Sequence, residues 1–250
     1  MTHMQAQQFW DQIYADLESS EYREVVMADV TEPSLSRALA HFGDLQGKTL
    51  VDLGCGRGEK SLVFASRGAN VISVDLSEIA LNNLAEHCRE HGITNIRPVK
   101  LAAHDILQLG QIDFIYGSMI LHHIEPFDDF VDKLGRLVRP EGKGFFWENN
   151  ARSRLMIWFR QHVVGKLWVP KFGDPDEFPL TPDEVELLRK PFHVELQFPE
   201  LVFFRMISMY LLRGRLQAPF RWLDKRCYNY PSLRPYSYQQ CVLLTQRATA

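Results

Sequence analysis

Cysteine is scarce in this 250-residue sequence. There are four, Cys55, Cys88, Cys227 and Cys241, far apart and with no Cys-x-x-Cys pair. That spacing argues against a zinc site and against a disulfide framework, and suits free thiols in a reducing compartment. Long apolar runs are missing too. The most apolar window, "LVFFRMISMYLL", is twelve residues long and contains Arg205, well short of the roughly 20 residues of a spanning helix. The opening "MTHMQAQQFWDQIYADLESS" shows no basic stretch followed by an apolar one, so no secretory signal is expected and a cytoplasmic chain is. No internal repeat or low-complexity stretch is present. With 46% hydrophobic and 24% charged residues the composition is that of a folded globular protein, not of a disordered or fibrous one.

Charge is unevenly spread. Residues 1–150 hold 13 Lys and Arg against 22 Asp and Glu, residues 151–250 hold 15 against 9, and the two parts sum to the formal −3. Such a split marks either a solvated face or a surface turned toward an anionic partner: lipid, nucleic acid or acidic substrate.

From residue 48 to about 150, β-rich runs alternate with helical periods. "KTLVDL" is followed by "EKSLVFASRG", and "ANVISVDL" by the N-cap Ser77 and the amphipathic "EIALNNLAEHCREHG". Next come "NIRPVKLA", a polar turn "AHDILQLG", the run "QIDFIYG", a helix-like "PFDDFVDKLGRLVRPEG" and "KGFFWENN". The alternation implies βαβ units: an α/β, doubly wound, Rossmann-like, mostly parallel sheet with helices on both faces. Downstream, "LTPDEVELL" carries a capping box, Thr181 with Glu184, and Pro182 at the first helical position. "FHVELQF" and "YQQCVLLTQR" supply two more strands.

We therefore expect one domain over residues 1–250: a helical cover at 1–45, a cofactor-binding core at 46–150, a basic-aromatic lid at 151–180, and C-terminal strands at 181–250 with an insertion at 199–236. In the cover, Phe9, Trp10, Ile13, Tyr14 and Leu17 recur at three- and four-residue spacing and make an apolar helix face.

"VDLGCGRGE" places Gly54, Gly56 and Gly58 between a strand and a helix, where bare backbone and a helix N-terminus meet a ligand. The dinucleotide pattern G-x-G-x-x-G fails, because Glu59 stands where its third glycine belongs and would repel a pyrophosphate. Acid-x-Gly-x-Gly-x-Gly, as Asp52, Gly54, Gly56 and Gly58, resembles the first motif of class I S-adenosylmethionine (SAM)-dependent methyltransferases. The resemblance implies that the glycines border the amino-acid end of SAM and that Asp52 helps hold its amino group. It implies that Asp75, with Leu76 beside it, accepts the ribose hydroxyls. Asp105, flanked by His104 and Ile106, would meet the adenine. It covers residues 5–150 well, and the remainder only in outline.

"GSMILHHIEP", residues 117–126, resembles the post-strand motif of the ubiquinone, coclaurine and phosphoethanolamine methyltransferases. In that likeness Ser118 and Met119 border the donor, and His122 takes the position of a histidine that pairs with a tyrosine of the N-terminal helix, here Tyr14. An imidazole suits removal of a proton from an oxygen or amine nucleophile. His122 is thus a candidate base or positioning residue, and His123 a substrate contact or a packing residue. Glu148, Asn149 and Asn150 close the fifth strand and are candidate substrate contacts. No ligand spacing around the histidines points to a metal, so none is expected.

The expected reaction is methyl transfer from SAM, yielding S-adenosylhomocysteine, to an O or N nucleophile of a small acceptor, lipophilic or glycosylated. A noncatalytic SAM-binding regulator and an NAD-dependent oxidoreductase are the alternatives. No Asn/Asp-Pro-Pro-Tyr/Phe motif follows the fourth strand, which disfavours nucleobase amines, so no specific nucleic-acid partner is expected. The basic-aromatic segments "ARSRLMIWFRQHVVGKLWVPK" and "FFRMISMYLLRGRLQAPFRWLDKR" suit a pocket cover or peripheral contact with a membrane surface.

Overall fold

A computed structural model describes residues 3–18, 25–162 and 178–247. Most of the lid segment, residues 163–177, lies outside the described residues. The chain forms α1 (His3–Glu18), α2 (Pro33–Phe42), β1 (Thr49–Leu53), α3 (Glu59–Ser66), β2 (Asn70–Asp75), α4 (Glu78–Glu90), β3 (Ile96–Lys100) and β4 (Ile112–Ser118). It continues with α5 (Phe127–Leu137), β5 (Val138–Asn149), α6 (Arg154–His162), α7 (Pro182–Leu188), β6 (Phe192–Gln197), α8 (Phe203–Leu211), α9 (Gln217–Tyr228) and β7 (Gln239–Gln246).

The seven strands form one sheet in the order β3-β2-β1-β4-β5-β7-β6. All neighbours run parallel except β7, which is antiparallel to both β5 and β6. The order reverses between β1 and β4, so the crevice at their carboxyl ends is where an open α/β sheet binds its ligand.

Strand alternation sends successive side chains to opposite faces. Leu50 and Val71 join α2, α3 and α4 in one buried cluster, with Phe42, Phe64 and Leu84. Val51 and Ile72 join α5 and α7 in the other, with Phe127, Phe130, Leu134 and Leu188. On α5 the buried residues Phe127, Phe130, Val131 and Leu134 follow the helical repeat. Removing such a fully enclosed ring as Phe130 would cost about 3–5 kcal/mol.

Helix signals in the sequence are met locally. The Ser77 hydroxyl accepts from Ala80 N–H, and Thr181 with Glu184 closes the capping box on α7. Two expectations are corrected. The helix read through "RPEG" stops at Leu137, because Val138 pairs with Ile112 and starts β5, and Pro140 has no amide to continue a helix. The turn at "AHDILQLG" is a short 3₁₀ helix, Ala103–Leu109.

Candidate active site

Gly54, Gly56 and Gly58 all adopt left-handed backbone, with φ of 68°, 51° and 79°, so the loop turns sharply from β1 into α3. A Cβ on Gly54 would meet the Ile120 side chain at 2.9 Å, and one on Gly56 would meet the Tyr14 hydroxyl at 2.5 Å. The loop is thus bare backbone held between β4 and the N-terminal helix.

Asp75, at the end of β2, braces this loop. Its carboxylate accepts from Gly56 N–H at 2.8 Å and from Ser77 N–H at 2.9 Å. Burial raises its pKa, and the backbone bonds from Ser77, Gly56 and Leu76 counteract that rise. The carboxylate's remaining lone-pair capacity can accept from a diol. The Ser77 hydroxyl donates to Asp11 on α1 at 2.5 Å, tying the cover to the same corner.

Asp52 lies beneath the loop, almost wholly enclosed. The Ser61 hydroxyl donates to it at 2.6 Å, and Ser73, its register partner on β2, donates to Ser61 at 2.7 Å. Burial pushes the Asp52 carboxyl up to about 6, with the Ser61 bond opposing. Burial likewise pushes the Cys55 thiol well up, so it is not a reactive thiolate.

Tyr14 reaches the loop from α1. Burial first, then the Asp75 charge, raise its pKa, so it is a neutral phenol at ordinary pH. Trp10, one turn earlier, sets its ring edge-on to His123 at a centroid distance of 6.1 Å.

After β4 the chain bends at Met119, whose φ of 57° is unusual for a non-glycine residue and whose N–H donates to Trp147 O at 2.8 Å. The bend directs the next amides at Glu148 on β5. Glu148 Oε1 accepts from Ile120 N–H at 2.9 Å and Leu121 N–H at 2.7 Å. Its Oε2 lies 2.6 Å from His122 Nδ1. The two side chains are 1% and 0% exposed, so the pair is enclosed in protein. A carboxylate can only accept here, which puts the proton on Nδ1 and the basic lone pair on Nε2.

The remaining candidates scatter. His104 places Nδ1 2.9 Å from Asp129 and Nε2 3.0 Å from Glu125 O, a link from the 3₁₀ helix to α5. Asp105 is exposed on that helix, while Ile106 is in the core. Ser118 ends β4. Asn149 is buried opposite Gln239. Asn150 donates to Pro235 O and Ser237 O, both at 2.9 Å, and so pins the chain entering β7. The sequence reading missed Ile120, Ser61, Ser73 and Asp11. Serines inside the apolar runs "KSLVF" and "VISVD" were the available signal, since a buried hydroxyl needs a partner.

The site fits SAM by its own features: a left-handed glycine cradle, a diol-ready carboxylate one strand away, and no phosphate-binding third glycine. Asp75, the Gly54–Gly58 loop and Asp52 would hold it. Among the described residues no group of three or more His, Cys, Asp or Glu is arranged to hold a metal.

Residues 50–142 match a family model described as a methyltransferase domain. A ubiquinone biosynthesis O-methyltransferase of Methylococcus capsulatus is 36% identical over 114 residues, which is 45% of this chain and 48% of that protein. The match thus spans about half the length of that relative. Among solved structures, magnesium protoporphyrin IX methyltransferase from Synechocystis has a TM-score of 0.62 at 14% identity, covering 98% of this chain and 100% of that one. The [4+2]-cyclase SpnF has a TM-score of 0.63 at 16% identity, covering 100% and 98%. The motifs and sheet order of this region thus agree with the methyltransferase domain that residues 50–142 match, and the chain as a whole shares the fold of these solved structures.

Proposed function

We propose that this chain transfers the methyl group of SAM to an oxygen or nitrogen nucleophile of a small, lipophilic acceptor, and that His122 takes the proton. The observation that carries this reading is the enclosed His122–Glu148 pair at the carboxyl ends of β4 and β5, across the strand-order reversal from the glycine loop. When bound, SAM supplies an activated sulfonium methyl for in-line displacement. Everything else falls to the chain. Glu148 orients the imidazole and holds the two preceding amides, so Nε2 is aimed by a rigid backbone. Trp10 and Tyr14 cover the site and exclude water.

Likeness to a ubiquinone biosynthesis O-methyltransferase favours oxygen, and a phenol or quinol, as acceptor. Because a [4+2]-cyclase shares this fold, the decisive test is turnover. Purified protein is incubated with SAM and a panel of phenols, catechols and amines, and S-adenosylhomocysteine and methylated product are quantified together. Product in stoichiometric amount supports the reading. Tight SAM binding with no product from any acceptor would favour a noncatalytic SAM-binding protein.

A further inference from the structure

We propose that the α8–α9 hairpin is a docking surface for anionic lipid. It lies in the insertion between β6 and β7. β6 runs parallel to β5, and β7 starts opposite Asn149 at the end of β5, so the insertion emerges from the carboxyl edge of the sheet. That is the edge that carries the glycine loop and His122.

The outer face of α9 is the reverse of what a packed helix shows. Phe220, Leu223, Asp224 and Cys227 face inward, whereas Trp222 is 61% exposed. Helical spacing puts Arg221 and Lys225 on one side of that indole and Arg226 on the other, all three exposed. At the hairpin tip, Arg213 and Leu216 hold left-handed backbone, with φ of 53° and 61°, on either side of exposed Arg215. Leu216 is 61% exposed, and Met209 on α8 is 55% exposed. Strained non-glycine backbone that turns a leucine into solvent calls for a partner.

The charge on this face is predominantly positive, and Glu200, just before α8, is paired with Arg205 at 2.7 Å. Asp224 is the only acid in residues 201–250, and it is spent inside the hairpin. Its carboxylate accepts from Phe204 N–H at 2.9 Å and Arg205 N–H at 3.0 Å, which caps α8. The neighbouring cleft of about 880 Å³ is lined in part by Arg205, Arg221, Trp222, Lys225 and Arg226.

Cations around a projecting indole, with exposed aliphatic side chains on the same hairpin, match the two components of a lipid interface: anionic headgroups and the acyl boundary. A nucleic acid would use the cations but leaves Leu216 and Met209 without a role. Among the described residues no helix is long and apolar enough to cross a membrane, so the contact is peripheral.

The test uses the full chain in co-sedimentation with vesicles of phosphatidylcholine alone or mixed with phosphatidylglycerol, at low and high salt. Binding only to the mixed vesicles, weakened by salt, is expected. Combined substitution Arg221→Ala, Lys225→Ala and Arg226→Ala should lower the partition constant roughly a hundredfold, about fivefold per cation. Trp222→Ala should lower it at unchanged net charge. Circular dichroism and SAM binding of each variant confirm the fold. No binding, equal binding to both vesicles, undiminished binding by the folded variants, or displacement by an equal concentration of RNA would overturn the proposal. None of these outcomes bears on methyl transfer to a soluble acceptor, which is assayed without lipid.

Discussion

Glu148, on β5, and His122, in the short 3₁₀ turn that follows β4, are 26 residues apart and meet at 2.6 Å with both side chains enclosed. The same carboxylate collects the amides of Ile120 and Leu121. A buried carboxylate held in this way does not favour stability by itself, since its desolvation offsets much of what its hydrogen bonds gain. Its consequence is orientation: one carboxylate sets the tautomer of the imidazole and the bend that presents it.

Glu148→Gln separates orientation from stability. The Gln carbonyl can still accept from the two amides, but its NH₂ faces Nδ1 and favours the other tautomer, with the proton on Nε2. Turnover should fall roughly a hundredfold or more, while SAM affinity is nearly unchanged. Imidazole ¹⁵N shifts of His122 should report the tautomer change. Full activity with the tautomer unchanged would refute this role for Glu148. Glu148→Ala, by contrast, leaves buried amides unsatisfied and should destabilise the fold by about 3–5 kcal/mol.

Tyr14→Phe tests the cover. Burial and the Asp75 charge keep the Tyr14 phenol protonated well beyond neutral pH, so it sits against the glycine loop as a neutral hydroxyl and not as a base. Removing the hydroxyl should weaken SAM binding by calorimetry, and the alkaline limb of the kcat profile should stay where it is in wild type. A shifted or vanished alkaline limb would assign that limb to Tyr14 and contradict its neutral state.

Much of this was legible in the sequence, and the boundary has a physical cause. Strand–Gly loop–helix signals are local, so the β1–α3 turn, Ser77 and the Thr181–Glu184 box could be read from neighbouring residues. Sheet order is not local: that β7 runs backwards between β5 and β6 depends on pairing across the insertion. Glu148 was legible as a strand-end acid, but its bond to His122 needs the β4–β5 register and the bend at Met119. The Asp52–Ser61–Ser73 chain likewise needs β1 and β2 aligned so that Asp52 faces Ser73. In the insertion, helical periods were masked by the mix of basic and aromatic residues. Only the folded hairpin shows that Asp224 points in and Trp222 out.

Gly58 is where loop geometry and core packing meet. Its φ is 79°, and a Cβ there would come within 2.5 Å of both Leu84 methyl carbons. Left-handed backbone alone costs an alanine about 1–2 kcal/mol, and the contact adds to it. Gly58→Ala should therefore lower the urea midpoint, and by less in a Leu84→Ala background, where only the backbone cost remains. An identical penalty in both backgrounds would show that the Leu84 contact is relieved freely.

Asp52 gives a prediction with a sign. Its folded pKa, about 6, is above the ordinary 3.8 because burial disfavours the charged form. Below 3.8 both folded and unfolded chains hold the proton, and the group has no effect on stability. Between 3.8 and about 6 the unfolded chain ionises first, so the folded state loses ground as pH rises, and above about 6 the penalty is complete. Two pKa units set its ceiling at about 3 kcal/mol. Asp52→Asn retains an oxygen to accept from Ser61 and cannot ionise. Urea unfolding of the two proteins should agree near the acid end of this window, and the variant should be the more stable one above it. If wild type is instead the more stable at neutral pH, the ionised carboxylate is compensated by its surroundings, and the Ser61–Ser73 chain outweighs burial.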